Sequence, residues 1–385
     1  MFFTLKFSEK HVGLIKIIFF DPNKLIKHMK IRFYAILFSL LGALAVNAQD
    51  IHFSQFYAAP LTLNPALTGN FNGFYRVSGI YRNQAPGLTA NNPAFSTPSV
   101  SLDFSLLREK IKNGSLGVGL MFFNDQQNGK TFNHNQILGS IAYNMTFGPK
   151  KIFQLGLGLQ GGVAITKMDF SNFQFNDGFN PDLSYNPNYN GETFNSGSRI
   201  KGVFNAGLFA KVEFFKGMRY YMGFSFNNAT NYKQDFLTET STTPSARLPF
   251  RYVVHGGFEF DIKDKLVLIP GYLFQMQARA RQVNFGLTAG IHLVKDPAKR
   301  ATLYLGLWNR MNTGNYTIIP KIGFEYKGFR AGFAYDAHLK QSYKGYEKQF
   351  NGKAANLPQG FEITLSYIGN IFAPKEDNYL FNPRY

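Results

Sequence analysis

Residues 151–165, "KIFQLGLGLQGGVAI", alternate between apolar side chains and small or polar ones with a period of two. Successive side chains of a β-strand point to opposite faces, so this period predicts a strand with one apolar face. The apolar face carries Phe153, Leu155, Leu157, Leu159 and Val163, and the opposite face carries Gln154, Gly156, Gly158, Gln160 and Gly162.

The same alternation recurs along the chain, for example in residues 283–292 and 361–367. Segments of this kind run about ten residues, which is the length that a tilted strand needs to cross a bilayer. Their second faces carry Gly, Gln, Asn, Thr and scattered charge, which suits a wet lumen better than a packed core. The charged positions expected to face this lumen are Lys211, Glu213, Lys321, Glu325 and Arg330.

Fourteen such segments predict an all-β fold, a transmembrane antiparallel β-barrel of about 14 strands over residues 73–370. Long and short connections alternate, as they do in outer-membrane barrels with short periplasmic turns and longer outer loops. An even strand count then places both chain ends in the periplasm, including a C-terminal tail over residues 371–385. The predicted strands are 74–83, 98–107, 115–123, 135–147, 151–164, 202–214, 219–229, 250–260, 265–276, 282–293, 301–311, 315–326, 328–338 and 359–369.

The N-terminal region predicts export to the outer membrane. Residues 29–48 combine a basic start, an apolar core and the small-residue ending Val46-Asn47-Ala48, which is typical of a cleaved signal peptide. Met29 is better placed than Met1 as the first residue of this signal peptide. We therefore interpret Met1 as an upstream start codon and residues 1–28 as untranslated. The alternative is a genuine long basic region before the signal.

Composition argues against a nucleic-acid partner. The formal net charge is +18, and it falls to +13 once the seven basic and two acidic residues before Gln49 are removed. The basic residues are scattered and form no single stripe, and an exported chain meets little nucleic acid. Lipid headgroups or an acidic protein are the partners that this charge favours. The chain has no Cys, so disulfides do not stabilise it.

Residues 49–72, "QDIHFSQFYAAPLTLNPALTGNFN", are too irregular for a membrane strand. Fourteen strands enclose a wider lumen than eight do, and a plug commonly fills such a lumen. We therefore predict that this stretch is an N-terminal plug segment, lumenal or periplasmic. The residues expected to form the plug motif are Phe56, Tyr57, Asn64, Pro65 and Ala66.

The N-terminal stretch, the following Tyr81-Arg82-Asn83 and the terminal "FNPRY" resemble the PorP/SprF family over essentially the whole mature chain. The resemblance implies an outer-membrane protein of the type IX secretion and gliding motility system. It also implies partners: a secreted client or adhesin with a type IX C-terminal domain, other secretion-system components and outer-membrane lipid. Tyr385 departs from the family, where a terminal Phe is commoner.

A second resemblance supplies an alternative function. Asn64-Pro65-Ala66 is similar to the hatch of FadL-type channels, which also have fourteen strands. This similarity implies a channel for hydrophobic solutes. The two hypotheses differ in the lumen, because a channel needs a continuous apolar path and a client-binding barrel does not.

Enzymatic motifs are weak in this sequence. Residues 156–161 match G-x-G-x-x-G, but they lie within a predicted strand and no helix follows, so a nucleotide-binding loop is not indicated. Spacings typical of metal ligands or of a Ser nucleophile do not occur. We expect no enzymatic activity, no cofactor and no metal site.

The predicted loop 165–201 is the longest and the richest in aromatic residues. Disordered loops are poor in aromatic residues, whereas recognition surfaces are rich in them. We predict that this loop binds the client, and that Lys167, Arg199 and Lys201 speed its encounter with an acidic domain. The alternative is that the rings pack on neighbouring loops and close the barrel mouth. The predicted contact residues are Phe173, Phe175, Phe179, Tyr185 and Tyr189.

Overall fold

In the computed structural model every described residue belongs to one compact unit within Ala45–Tyr385. The described residues are 52–84, 95–108, 110–127, 131–148, 152–169, 197–233, 247–263, 265–294, 301–312, 315–338 and 359–370.

Fourteen β-strands make up almost all of the described structure, and each predicted segment coincides with one of them. The predicted fold class is therefore confirmed. The strands are β1 (Tyr75–Gln84), β2 (Phe95–Leu106), β3 (Gly114–Gln127), β4 (Phe132–Phe147), β5 (Phe153–Met168), β6 (Gly197–Phe215), β7 (Met218–Asn227), β8 (Arg251–Ile262), β9 (Leu266–Gln277), β10 (Ala280–His292), β11 (Ala301–Asn312), β12 (Asn315–Tyr326), β13 (Phe329–His338) and β14 (Gly360–Gly369).

The strands close into an antiparallel barrel in which each strand pairs with its neighbours in sequence. The closing ladder joins β1 to β14, with Tyr75 opposite Gly369 and Gln84 opposite Gly360. Closure gives the backbone N–H and C=O groups of the first and last strands hydrogen-bond partners. The hydrocarbon core of a membrane has no water that could bond to these groups instead.

The two faces of the wall have opposite chemistry. Large apolar side chains point outward and stay exposed, such as Leu307 at 62%, as expected of a surface whose solvent is lipid. Many inward positions carry buried polar or small side chains, such as Gln154 and Gln160 of β5, and others carry buried apolar rings such as Trp308. All five charged positions that were expected to face the lumen lie on the inward face by register. The prediction from the alternation of residues 151–165, a strand with one apolar face, is thus confirmed.

Aromatic rings gather near both ends of the strands on the outward face. Toward one end the pairs Tyr81–Phe361 and Phe226–Phe250 have ring centroids 6.2 and 5.3 Å apart. Toward the other end Phe147 and Phe153 are 5.8 Å apart. Such girdles lie at the two membrane–water interfaces, because an aromatic ring suits the headgroup level.

The three longest connections lie on one rim, although the two-residue connections 278–279 and 313–314 lie on that rim as well. The short-turn rim carries connections such as 216–217 and 327–328, and the long-loop rim carries 169–196, 228–250 and 339–359. Strand β1 begins at the short-turn rim with Tyr75 and ends at the long-loop rim with Gln84, where the 85–94 connection to β2 follows.

The predicted boundaries of loop 165–201 were wrong. Strand β5 continues to Met168 and β6 begins at Gly197, so Lys167, Arg199 and Lys201 lie on strands. The ladder continues there without the apolar alternation, with Lys167 opposite Ser198, because a hairpin that rises above the membrane no longer needs a lipid face.

Helical structure within the described ranges is limited to three turns before β1. They are the 3-10 turns Phe56–Ala58 and Pro65–Leu67 and the short α-helix α1, Pro60–Leu63. No described helix is long and apolar enough to span a membrane.

Candidate functional site inside the barrel

Residues 52–74, here called the inner segment, contact the inward-facing side chains of the barrel along its depth. At one end the carbonyl of His52 accepts a hydrogen bond of 2.7 Å from Arg82 Nη1, near the long-loop end of β1. At the other end the Phe74 amide donates to the Gly369 carbonyl at 2.8 Å, on the short-turn rim. The inner segment thus runs lengthwise through the ring of strands before it enters the wall.

The turns of the inner segment follow from its prolines and from Asn64. Pro60 and Pro65 occupy the first positions of their helical turns, where a missing N–H is harmless. The side chain of Asn64 caps the second of these turns by accepting from the Ala66 amide at 2.9 Å. Asn-Pro is therefore a local stop-and-start signal, and it fixes the chain direction in the middle of the barrel.

Asn64 is fully buried and also bonds to the wall. Its amide nitrogen donates to the Leu208 carbonyl at 2.8 Å and to the Phe224 carbonyl at 3.3 Å, and it lies 3.2 Å from His255 Nε2. Both amide ends of this residue are thus used, one within the inner segment and the other toward β6, β7 and β8.

Three inward glycines on adjacent strands receive this turn, and we call them the glycine groove: Gly158, Gly207 and Gly223. Gly158 lies directly opposite Gly207 in the ladder. A Cβ on Gly158 would overlap Pro65 and the Ala66 amide, and a Cβ on Gly207 would overlap Asn64 Oδ1. The glycines of the G-x-G-x-x-G match therefore lie within β5, and Gly158 makes room for the Asn-Pro-Ala turn.

Nearer the short-turn rim, an ion pair holds the chain after this turn. Arg76 and Asp103 face each other at 2.7 Å and are both buried. Asp103 also accepts from the Gly69 amide at 2.8 Å, while Arg76 donates to the Leu67 carbonyl at 3.0 Å. The guanidinium lies 4.6 Å from the centroid of the Phe71 ring. The buried charges are thus paired with each other and with the backbone of the inner segment.

An aromatic cluster surrounds the first turn of the inner segment. The ring of Phe56 lies edge-on to Trp308 at 5.4 Å, and the ring of Tyr57 lies edge-on to Tyr221 and His255, each at 5.7 Å. The Tyr57 hydroxyl donates to the Gly256 carbonyl at 3.4 Å.

Toward the long-loop rim, a buried ion network binds the first residues of the inner segment. The Glu362 carboxylate accepts from the backbone amides of Ser54 and Gln55 at 2.6 and 2.7 Å. Asp336 accepts from the Ser54 hydroxyl at 2.6 Å. Both carboxylates are buried, and each is paired with arginine.

The cations of this network come from three strands. Arg82 bridges Asp336 at 2.9 Å and Glu362 at 2.8 Å, and Arg310 pairs with Asp336 at 2.8 Å. Lys321 donates to the Ser54 carbonyl at 2.6 Å and lies 4.2 Å from the centroid of the Trp308 ring. Arg82 belongs to the Tyr81-Arg82-Asn83 triplet, which is part of the family resemblance. This triplet therefore supplies a central residue of the ion network.

A cleft of about 400 Å³, including space open to solvent, remains beside the inner segment. Amide side chains of Gln136, Gln160 and Asn205 line it together with Phe53 and Leu138. This mixture is not a continuous apolar surface. Within the described ranges, no three His, Cys, Asp or Glu side chains are grouped closely enough to hold a metal ion.

The structure brings together one predicted group of site residues. Phe56, Tyr57, Asn64, Pro65 and Ala66 are all buried in contacts with the wall, although their role as a plug stays a prediction. The five predicted contact residues of the 165–201 loop lie outside the described residues. Sequence reasoning missed the acidic partners Asp336 and Glu362, whose separation from Arg82 gives no local pattern.

A family model described as the type IX secretion system membrane protein PorP/SprF matches residues 45–367, most of the chain. No curated protein sequence matches this chain.

Several solved barrels share the general shape. The CymD monoaromatic hydrocarbon channel is 12% identical, with 83% of this chain and 94% of that chain covered and a TM-score of 0.48. A Pseudomonas aeruginosa FadL homologue is 9% identical, with coverage of 79% and 92% and a TM-score of 0.46. The Ralstonia pickettii toluene transporter TbuX is 10% identical, with coverage of 80% and 92% and a TM-score of 0.44. Likeness at this level says nothing about what this chain transports or binds.

Proposed function

The chain belongs to the PorP/SprF family of type IX secretion system membrane proteins, and from that premise we propose that it assists type IX secretion and holds one specific secreted client or adhesin at the cell surface. The barrel is an integral outer-membrane protein that associates with other components of the secretion system. Its client carries the C-terminal domain that type IX substrates share.

The observation that carries this proposal is the attachment of the inner segment at three levels. The ion network around Glu362, the glycine groove around Asn64 and the Arg76–Asp103 pair each bond to its backbone or side chains. A segment so attached acts as a plug, and it leaves the lumen unsuitable as a binding site for a large partner.

The lipid-facing wall is also unsuitable, because its exposed apolar side chains are covered by acyl chains. The long-loop rim is then the surface on which a protein client binds. Its connections 169–196, 228–250 and 339–359 together exceed all of those on the opposite rim in length. Long connections that emerge from a rigid scaffold commonly carry binding function.

A hydrophobic-solute channel requires a continuous apolar path from the mouth to a second opening. The interior instead places Arg82, Arg310 and Lys321 with two carboxylates beside the inner segment. Desolvated charge of this density opposes passage of an apolar solute.

Co-purification tests the proposal. The tagged protein, solubilised from outer membranes in mild detergent, should retain one abundant protein with a type IX C-terminal domain. A variant that lacks residues 171–195 should lose it, and a variant that lacks residues 340–357 of another long connection serves as the control. Purification of the full-length barrel without such a protein, even after crosslinking in cells, contradicts the proposal.

A further inference from the structure

The two rims differ sharply in charge. The six connections of the short-turn rim contain twelve Lys or Arg and three Asp or Glu in 27 residues, whereas the seven connections of the long-loop rim contain eight and seven in 90 residues. The short-turn rim therefore carries +9 of the net charge and the long-loop rim only +1. The connections of the short-turn rim are 107–113, 148–152, 216–217, 263–265, 293–300 and 327–328.

Each of these six connections contains at least one lysine, so the charge is distributed around the rim. Every described lysine among them is exposed to solvent. These residues, here called the rim lysines, are Lys110, Lys112, Lys216, Lys263, Lys265 and Lys327.

Turn geometry does not explain the choice of lysine. Lys327 and Gly328 form a two-residue hairpin with φ of 47° and 82°, a conformation that Asn-Gly adopts most readily. Lys263 also has a left-handed φ of 48°. A lysine in this region is strained by about 1 kcal/mol relative to glycine, so backbone preference does not account for it.

The surroundings of the rim lysines indicate what they bind. The aromatic girdle on the same rim marks the headgroup level of the membrane, and Lys327 Nζ lies 5.3 Å from the ring centroid of Tyr326 within that girdle. A lysine beside an interfacial aromatic ring is placed to reach lipid phosphate. A protein partner would contact one sector of the rim, but the lysines occur in every turn around it.

We propose that the rim lysines form a ring that binds the phosphate groups of anionic phospholipids in the leaflet bordering the short-turn rim. The ring enriches these lipids around the barrel and fixes its depth and tilt at that interface. Each lysine near an anionic surface contributes on the order of 1 kcal/mol of attraction, which salt weakens.

The test uses the full mature protein in vesicles of phosphatidylcholine with a trace of spin-labelled lipid. The motionally restricted fraction of spin-labelled phosphatidylglycerol should exceed that of spin-labelled phosphatidylcholine about two- to threefold at low salt. The preference should decline in 0.5 M NaCl. A variant with all six rim lysines changed to glutamine keeps only +3 of the rim's +9 and should lose most of this preference.

A second variant removes the same charge from the other rim by changing Lys130, Lys233, Lys340, Lys344, Lys348 and Lys353 to glutamine. It should keep the preference of the parent, and both variants should remain heat-modifiable on gels. Equal restriction of the two labels by the parent, or equal loss in both variants, overturns the proposal.

Discussion

At the scale of single residues, inward-facing glycines determine where the inner segment fits against the wall. Glycine weakens a strand because it has no side chain to pack. The glycine groove nevertheless places Gly158 opposite Gly207, and the Asn64-Pro65-Ala66 turn fills the space that two side chains would take. The instability of the wall at this point is offset by the bonds that Asn64 makes to it.

Changing Gly207 to alanine should displace the inner segment. The added Cβ overlaps Asn64 Oδ1 and lies 3.0 Å from Pro65 Cδ, so the turn must shift. The reporter is a cysteine replacing buried Leu67 in this cysteine-free chain. Maleimide labelling of the folded barrel should become roughly tenfold faster, which corresponds to about 1.4 kcal/mol of weakened docking.

The matched control for this change is Gly202→Ala. Gly202 belongs to the same strand, and a Cβ there meets no atom within 4 Å. It should label as slowly as the parent. Equal labelling of the two glycine variants would show that the groove does not hold the turn.

Changing Glu362 to glutamine should destabilise the barrel. The carboxylate accepts hydrogen bonds from the Ser54 and Gln55 backbone amides and from Arg82. A glutamine side chain has only one acceptor oxygen, and its NH₂ group would face one of these N–H donors. Removal of one partner from a buried ion network costs about 3–5 kcal/mol. The urea midpoint for loss of the heat-modifiable form measures this effect.

Glu325→Gln is the control for this second change. Glu325 pairs with Arg330 at 3.1 Å, but its side chain is 23% exposed. The loss should stay under about 1 kcal/mol, as for other ion pairs that water reaches. If both variants unfold at the same urea concentration, the Glu362 network contributes no more than the partly exposed Glu325–Arg330 pair.

At the scale of elements, the sequence predicted the wall well because a lipid-facing strand has a strict period of two. All fourteen strands were located, and the clearest boundary error lies where β5 and β6 extend above the membrane to Met168 and Gly197. Beyond the lipid the outward face no longer needs to be apolar. The signal that defines a strand therefore ends before the strand does.

The contacts of the inner segment were less predictable. Its aromatic and Asn-Pro content indicated a non-strand role, but Arg82 and Glu362 are 280 positions apart and meet only through barrel closure. Which inward glycines contact Asn64 depends on the stagger of the strands, and this stagger has no local pattern. Alternation predicted only the inward direction of wall residues such as Gly158, Gln160 and Lys321, not which of them the inner segment contacts.

Deleting residues 52–69 should open the barrel without unfolding it. The wall strands bond to one another through a closed ladder that does not include these residues. The deleted protein should remain heat-modifiable and give a steady ion conductance in planar bilayers, larger than that of the parent. An equally long deletion, residues 172–189 of a long-loop connection, is the control and should leave the conductance low. Low conductance after both deletions would mean that another part of the chain closes the lumen.

At the scale of the whole molecule, each surface has a distinct chemistry. The outward wall is apolar, the interior holds paired charges and the inner segment, and the short-turn rim is basic. The long-loop rim is nearly neutral and carries the longest connections. A neutral surface rich in Asn, Phe and Tyr is suited to a specific protein contact, because aromatic anchors supply most of the binding energy at interfaces.

The proposed client-binding function depends most on the connection between β5 and β6, and deletion of residues 171–195 tests it in cells. We expect the barrel to remain in the outer membrane and heat-modifiable, while one adhesin-like protein moves from the cell surface into the medium, as seen by comparing surface-labelled and culture-supernatant proteins. Loss of a few buried aromatic anchors, each contributing about 2 kcal/mol or more, is enough to release such a client. Deletion of residues 340–357 should leave the client on the surface. Lost uptake of a hydrophobic solute with surface proteins retained would favour the channel instead, and no change in either would mean that the connection only covers the barrel mouth.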